Sequence, residues 1–198
     1  FHLNDVAAAQ DAARRNIDAW WPLIEDGVDT IVMTASGCGV QVRDYDHLLR
    51  DDAAYADKAR RIAAMCRDIS EVLVAERDAI ATLLRPPSSG VSEPIAFHSP
   101  CTLQHGQQLR GGVESLLKLA GYALTPVRDG HLCCGSAGTY SVLQPELSKR
   151  LRDNKLAALT AGAPARIATA NVGCQCHLGG ASDRPVQHWI ELLDERLD

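Results

Sequence analysis

The sequence predicts an α/β protein built of parallel β-sheet units with flanking helices, one unit complete and a second represented by its C-terminal part. Three observations point there. Short β-branched or apolar runs alternate with amphipathic helical stretches, an order that favours parallel strands and right-handed crossovers. These runs lead into segments rich in glycine and cysteine, which places the cysteines at the carboxyl ends of the strands, where such sheets take their ligands. One pattern also occurs twice, because Ile31-Val32-Met33-Thr34-Ala35-Ser36-Gly37-Cys38 matches Ile167-Ala168-Thr169-Ala170-Asn171-Val172-Gly173-Cys174 in register.

The elements follow in order. Residues 6–24 form an amphipathic helix by the spacing of Ile17, Trp20, Trp21 and Ile24. Asp29 to Thr34 is a short buried strand that ends in the loop Ala35 to Gly39. A long helix is expected over 53–84, where Ile62, Met65, Ile69, Val72 and Leu73 recur at three and four. Arg85-Pro86-Pro87-Ser88-Ser89-Gly90 breaks it as a linker. Beyond the break, Pro94 to His98 is a strand leading into Ser99-Pro100-Cys101, and Val113 to Ala120 is a helix stopped by Gly121. Tyr122 to Val127 is the next strand, with 128–138 as the loop carrying Cys133-Cys134. A helix over 145–160 is stopped by Gly162 and Pro164, Arg166 to Asn171 is a strand running into a loop at 173–177, and 187–197 closes as a helix. The expected domains are 1–87, the C-terminal part of a first repeat with its connecting helix, and 91–198, a complete second one.

With 198 residues, 46% hydrophobic and 23% charged, the chain is an ordinary globular protein with enough apolar material for a core. A formal net charge of -5 leaves no basic footprint for nucleic acid. No apolar run approaches the roughly 20 residues that span a bilayer. The opening Phe1-His2-Leu3-Asn4-Asp5 has neither the basic start nor the apolar run of an export signal, and lacks an initiator Met, so the expectation is a cytoplasmic protein of which this is one part.

Seven cysteines (Cys38, Cys66, Cys101, Cys133, Cys134, Cys174 and Cys176) then need explaining. An odd number without an export signal argues for thiols, metal or redox chemistry over a disulfide framework. Cys66 lies in a helical pattern between Ile62 and Ile69 and reads as core. The others sit in Ser-Gly-Cys-Gly, Cys-Cys-Gly and Gly-Cys-Gln-Cys settings or just past a strand end, and glycine there lets a loop turn tightly to aim its thiolates. Adjacent cysteines such as Cys133 and Cys134 strain a mutual disulfide but can each offer a thiolate to one centre. Cys101, Cys133, Cys134 and Cys174, with Cys176 or His177, therefore suit an iron–sulfur cluster or Zn²⁺. Glycines on both sides favour a turn after Cys174, which brings His177 round ahead of Cys176 as ligand or supporting donor. Cys38 alone holds no metal, although it could join a site completed from elsewhere. His98, His105 and His131 lie close to these cysteines in sequence, as donors or as turn residues; His47 and His188 read as surface or packing residues, Trp20 and Trp21 as helix core, and Arg14-Arg15 and Arg60-Arg61 as solvated faces.

Cys101, Cys133-Cys134-Gly135 and Asn171-Val172-Gly173-Cys174 resemble the cysteine-rich CCG domain found in heterodisulfide reductase and in iron–sulfur subunits of flavin-linked dehydrogenases. Within that group, Arg14 to Trp21, Thr34 to Tyr45 and Gly173 to Leu178 are most similar to the glycolate oxidase (glycolate dehydrogenase) iron–sulfur subunits, over essentially the whole chain as their C-terminal half. The resemblance implies one complete CCG domain plus the C-terminal part of a second, and an iron–sulfur cluster, [4Fe–4S] or noncubane. It also implies an electron-transfer subunit of a flavin-linked glycolate (2-hydroxy acid) oxidase or dehydrogenase. Electrons would come from FAD-containing flavoprotein subunits and pass towards a quinone or other acceptor, with substrate bound on a partner chain. An N-terminal ferredoxin-like region with two [4Fe–4S] clusters, a first Cys-Cys pair just upstream of Phe1, and a peripheral place on the inner membrane through the complex are further expectations. Two departures from the pattern stand out: Gln41 is three residues after Cys38, and the family's C-x-x-C ending is met by His177 with an extra thiol at Cys176. A zinc-stabilised scaffold joining subunits, and heterodisulfide reductase-type thiol/disulfide catalysis, stand as the alternatives.

Overall fold

The computed structural model describes residues 3–85 and 92–197, so the expected linker lies, beyond Arg85, outside the described residues. Two compact units divide at Ile69/Ser70, ahead of the 88–90 break where the sequence places the boundary.

In the first unit, Asp5 caps α1 (Val6–Glu25) by accepting from the Ala8 N–H at 2.9 Å, and Ala13, Ile17 and Ile24 bury its apolar face. β1 (Ile31–Met33) follows, and then α2 (Ser36–Arg43) starts where the sequence suggests a loop. The glycines beside Cys38 are accommodated in its first turns. α3 (Tyr45–Leu48) and α4 (Ala56–Met65) lead to β2 (Cys66–Asp68), which pairs parallel to β1 with Ile31 opposite Cys66 and Met33 opposite Asp68. The expected long helix is therefore interrupted. Pairing with β1 offers Cys66 to Asp68 a ladder, and that tertiary gain outweighs a helical periodicity that is only a weak prior. Cys66 is buried in the core with Ile17, Ile24, Val42, Leu49 and Ile62, while Trp20 and Trp21 are half-buried against it. Trp20 stacks on Tyr45 at 6.5 Å, and Lys58 and Arg61 lie over Trp21. Arg14 is not simply solvated, because it pairs with both Asp11 and Asp52.

After α5 (Ile69–Ala75) and α6 (Arg77–Leu83), the second unit is built on four parallel strands in the order β4-β3-β5-β6. β3 (Pro94–His98) is central, with β4 (Ala123–Leu124) on one side and β5 (Arg166–Thr169) on the other. α7 (Gly112–Leu119) and α9 (Pro145–Thr160) fill the crossovers, with the short α8 (Tyr140–Leu143) before α9. β4 is shorter than expected, since Pro126 has no N–H to extend the ladder and Thr125 makes its last bond, to the Ile95 carbonyl at 2.9 Å. α10 (Val172–Gly179) occupies the expected loop after β5. β6 (Val186–His188), which the sequence pattern does not predict, precedes α11 (Trp189–Asp194), whose start is capped by His188. At the amino end of the sheet, Arg166 bonds Glu93 and Glu195, each at 2.8 Å, which holds its pKa above the ordinary arginine value.

The internal echo extends to secondary structure. β1 and β5 are each followed by an eight-residue helix in the same register, with Cys38 and Cys174 both third in theirs. Each strand also pairs in parallel with a later one, Ile31 with Cys66 and Ile167 with Val186. Among the described residues, no helix is long and apolar enough to cross a membrane.

A candidate metal centre at the carboxyl end of the second sheet

Three chain segments meet beyond the carboxyl ends of β3, β4 and β5. Cys101 begins the turn after β3, just ahead of a short π-helical segment at Thr102–Gly106. Cys133 and Cys134 come from the loop between β4 and α8, and Cys174 from the first turn of α10. Cys134 and Cys174 are buried, and both belong to the core of this unit with Ala96, Leu159, Ile167 and Leu178.

The Cys-Cys-Gly turn depends on backbone geometry. Gly135 has φ +90, and a Cβ there would collide with the Ser148 carbonyl oxygen and lie 3.1 Å from Leu151 Cβ. With Gly135 in place, its N–H donates to Cys133 Sγ at 3.3 Å, and its carbonyl accepts from Ser148 Oγ at 2.8 Å. The Asn-x-Gly-Cys segment is fitted in the same way. Asn171 is extended at the start of α10 and its side-chain amide donates to Cys174 Sγ at 3.5 Å. A Cβ on Gly173 would lie 3.1 Å from Ser136 Oγ, so the two cysteine segments pack closely here.

The four cysteines act on one another's ionisation, Cys101 with Cys133, and Cys134 with both Cys133 and Cys174. Donation to Cys133 and burial push Cys101 and Cys134 well above the ordinary thiol pKa. Accepting those bonds pulls Cys133 and Cys174 below it. A bound metal would take the place of protons on these thiols.

His98, at the end of β3, completes the group. A ring nitrogen of His98 and the sulfurs of Cys134 and Cys174 all lie within 4.8 Å of one another. The ring is 2% exposed and its Nδ1 is 2.9 Å from Thr169 Oγ1, whereas its Nε2 has no hydrogen-bond partner among the described residues. An orphaned buried nitrogen beside thiolates fits a centre that needs either a further ligand or an N–H donor to sulfur. In sequence, only the three-residue offset from Cys101 pointed to it.

Burial, aided by Lys155, lowers the His98 pKa to about 3. The unfolded chain therefore takes up this proton near pH 6.5 and the native chain does not. In the metal-free protein, stability should fall by up to about 1.4 kcal/mol for each pH unit descended from about 6.5 towards 3. Urea titrations across this range should show that slope, and His98→Asn should flatten it.

The remaining candidates are placed elsewhere. Cys176 is exposed on α10, two residues from Cys174 and so on another face of the helix, and is not brought to the thiols. Cys38 is exposed in the first unit, and Cys66 is buried core there. Three residues after Cys174, His177 reaches Ser148 Oγ with its Nε2 at 3.2 Å. Since the Ser148 proton is committed to the Gly135 carbonyl, His177 donates to Ser148 and so steadies the Cys-Cys-Gly turn. Cys176→Ser should leave bound metal unchanged, and His177→Ala should reduce its retention against a chelator without abolishing it; metal analysis after dialysis distinguishes them. His105 Nε2 donates to the His131 carbonyl at 3.1 Å, His131 is exposed, and His188 caps α11.

The same region is matched among known proteins. Residues 95–179, from β3 to the end of α10, match the family CCG, described as a cysteine-rich domain. The whole chain is 48% identical to 47% of the length of the Glycolate oxidase iron-sulfur subunit of Escherichia coli. Over 87% of the chain it is 31% identical to the Probable glycolate oxidase iron-sulfur subunit of Bacillus subtilis, covering 38% of that protein. Over 96% of the chain it is 28% identical to Lactate utilization protein A of Bacillus licheniformis, covering 79% of it. The chain thus spans half or less of the glycolate oxidase subunits it matches.

Proposed function

We propose, for a chain whose second half is a cysteine-rich CCG domain, that Cys101, Cys133, Cys134 and Cys174 hold an iron–sulfur cluster in an electron-transfer subunit of a 2-hydroxy acid oxidase. The observation that carries this reading is the convergence of four cysteines from three segments at one end of the sheet, with Cys134 and Cys174 within 4.8 Å of a ring nitrogen of buried His98, whose Nε2 has no hydrogen-bond partner among the described residues. When bound, the cluster supplies one-electron transfer. The protein's own part is to aim and shield it. Gly135 and Gly173 allow the two cysteine segments to pack closely, and Asn171 and the Gly135 N–H donate to sulfur, which favours the charged form. The core around Cys134 and Cys174 excludes water.

The names of the relatives support glycolate, or lactate as a second 2-hydroxy carboxylate, as the reductant of the complex. Substrate would be oxidised on an FAD-containing flavoprotein partner, and electrons would pass through a ferredoxin-like region of the full-length protein and this centre to a quinone or other acceptor. A cytoplasmic place, peripheral on the inner membrane through the complex, accords with such an acceptor.

The test is anaerobic addition of glycolate to the full-length protein assembled with its flavoprotein partner, followed by electron paramagnetic resonance. The reading predicts that a cluster signal lost in a Cys134→Ser complex appears within turnover. A complex that turns over with no change at that cluster would contradict it.

A further inference from the structure

One charge near the thiols is not among the proposed ligands. A cavity of about 340 Å³ adjoins the site, lined by His98, Gln104, Arg110, Gly130, His131 and Lys155 among others. Arg110 and His131 are exposed, so water and salt screen them. Lys155 is different. It is 3% exposed, on α9, and its Nζ donates to the carbonyls of Asp129 at 2.9 Å and Gly130 at 3.3 Å. Those carbonyls belong to the segment that leads into Cys133. Among the described residues no carboxylate oxygen bonds this ammonium.

A buried ammonium without a carboxylate is costly, by several kcal/mol even after relaxation. Burial pushes Lys155 below the ordinary lysine pKa, and the opposing influences come mainly from sulfur, with Cys134 first, then Cys133, and Cys174 after Asp129. Geometry puts the ammonium against the metal site: it lines the cavity with His98, which lies beside the Cys134 and Cys174 sulfurs, and bonds the segment leading into Cys133.

We propose that Lys155 is the fixed counter-charge of the metal centre, a positioning residue whose ammonium favours the reduced cluster and so raises its reduction potential. One-electron reduction adds one negative charge to the centre and makes or breaks no bond in the protein. In a low-dielectric surrounding a nearby fixed cation stabilises the more negative of two redox states. The two carbonyl bonds add a second effect of the same side chain, since they hold the loop at a set distance from the charge. This inference rests on the iron–sulfur reading and goes beyond it in naming what sets the potential.

The experiment is a redox titration, with dithionite as reductant and the electron paramagnetic resonance signal that Cys134→Ser removes as readout, of anaerobically purified full-length protein and its K155Q and K155R variants. Glutamine keeps two N–H donors for the Asp129 and Gly130 carbonyls but carries no charge; arginine keeps the charge. In K155Q the reduced-to-oxidised ratio at a fixed ambient potential should fall at least tenfold, a midpoint lower by about 59 mV for a one-electron couple. K155R should stay within about threefold of the wild type, a spread of less than one kcal/mol. Loss of the cluster in K155Q with retention in K155R would also support the counter-charge. A K155Q midpoint equal to that of the wild type would overturn it, as would K155R matching K155Q or losing the cluster alongside it, since a clamp alone then suffices. A wild-type protein whose iron–sulfur signals are all retained in Cys134→Ser would instead overturn the reading of the site itself.

Discussion

Gly135→Ala is expected to abolish metal binding and to destabilise the second unit. Left-handed φ at a residue with a Cβ costs about 1 kcal/mol, and overpacking a filled site adds about 1–3 kcal/mol. Here the added carbon meets backbone, the Ser148 carbonyl, and not the end of a flexible side chain. Relief requires the turn to move, and that turn carries Cys133 and Cys134. The expected outcome is therefore a loss of roughly 2–4 kcal/mol with near-complete loss of bound metal. Gly179→Ala is the matched control, because its Cβ would meet only Val186 Cβ at an ordinary 3.7 Å. Thermal unfolding of both variants, with metal analysis, checks the contrast.

Cys134→Ser is expected to separate metal binding from folding. Its buried sulfur lies within 4.8 Å of the Cys174 sulfur and a His98 ring nitrogen, so its removal breaks the centre of the ligand set. More than about nine-tenths of bound iron should be lost, while the metal-free variant should remain folded, within about 1–2 kcal/mol of the wild type, since serine nearly matches the side chain and still donates. Cys66→Ser makes the complementary case. That thiol is equally buried, but it packs in the first unit and donates only weakly, to the Gly39 carbonyl at 3.9 Å. Its substitution should cost stability and leave the iron of the second unit in place. Iron content and urea unfolding measured on both variants give the two signatures.

The contrast between these cysteines also marks what the sequence made legible. Helices α1, α7 and α9 and strands β1, β3 and β5 could be read because their periodicity is strong and their ends carry Asp5, Gly121, Gly162 or Pro164. β2 could not, because Ile62 and Met65 before it and Ile69, Val72 and Leu73 after it keep the same helical spacing across three residues of strand. β6 was hidden similarly, being three residues joined directly to a helix. α2 and α10 read as loops because glycine marks a break locally, whereas beside Cys174 it serves close packing against Ser136. At the site, the four cysteines that the structure brings together were legible from their strand-end settings. The exposure of Cys176, the bond from His177 to Ser148 and the orphaned nitrogen of His98 were not, because each depends on which face of an element meets a neighbour. Lys155 gave no signal at all, since a lysine in an amphipathic helix reads as solvated until its burial is seen.

The measurement that bears most directly on a cluster held by Cys101, Cys133, Cys134 and Cys174 is the content of iron, acid-labile sulfide and zinc in the anaerobically purified wild-type chain beside its Cys134→Ser variant. An iron–sulfur centre predicts iron and sulfide together in comparable amounts in the wild type, and neither in the variant. Zinc without sulfide in the wild type, or iron and sulfide retained in full by the variant, would contradict it.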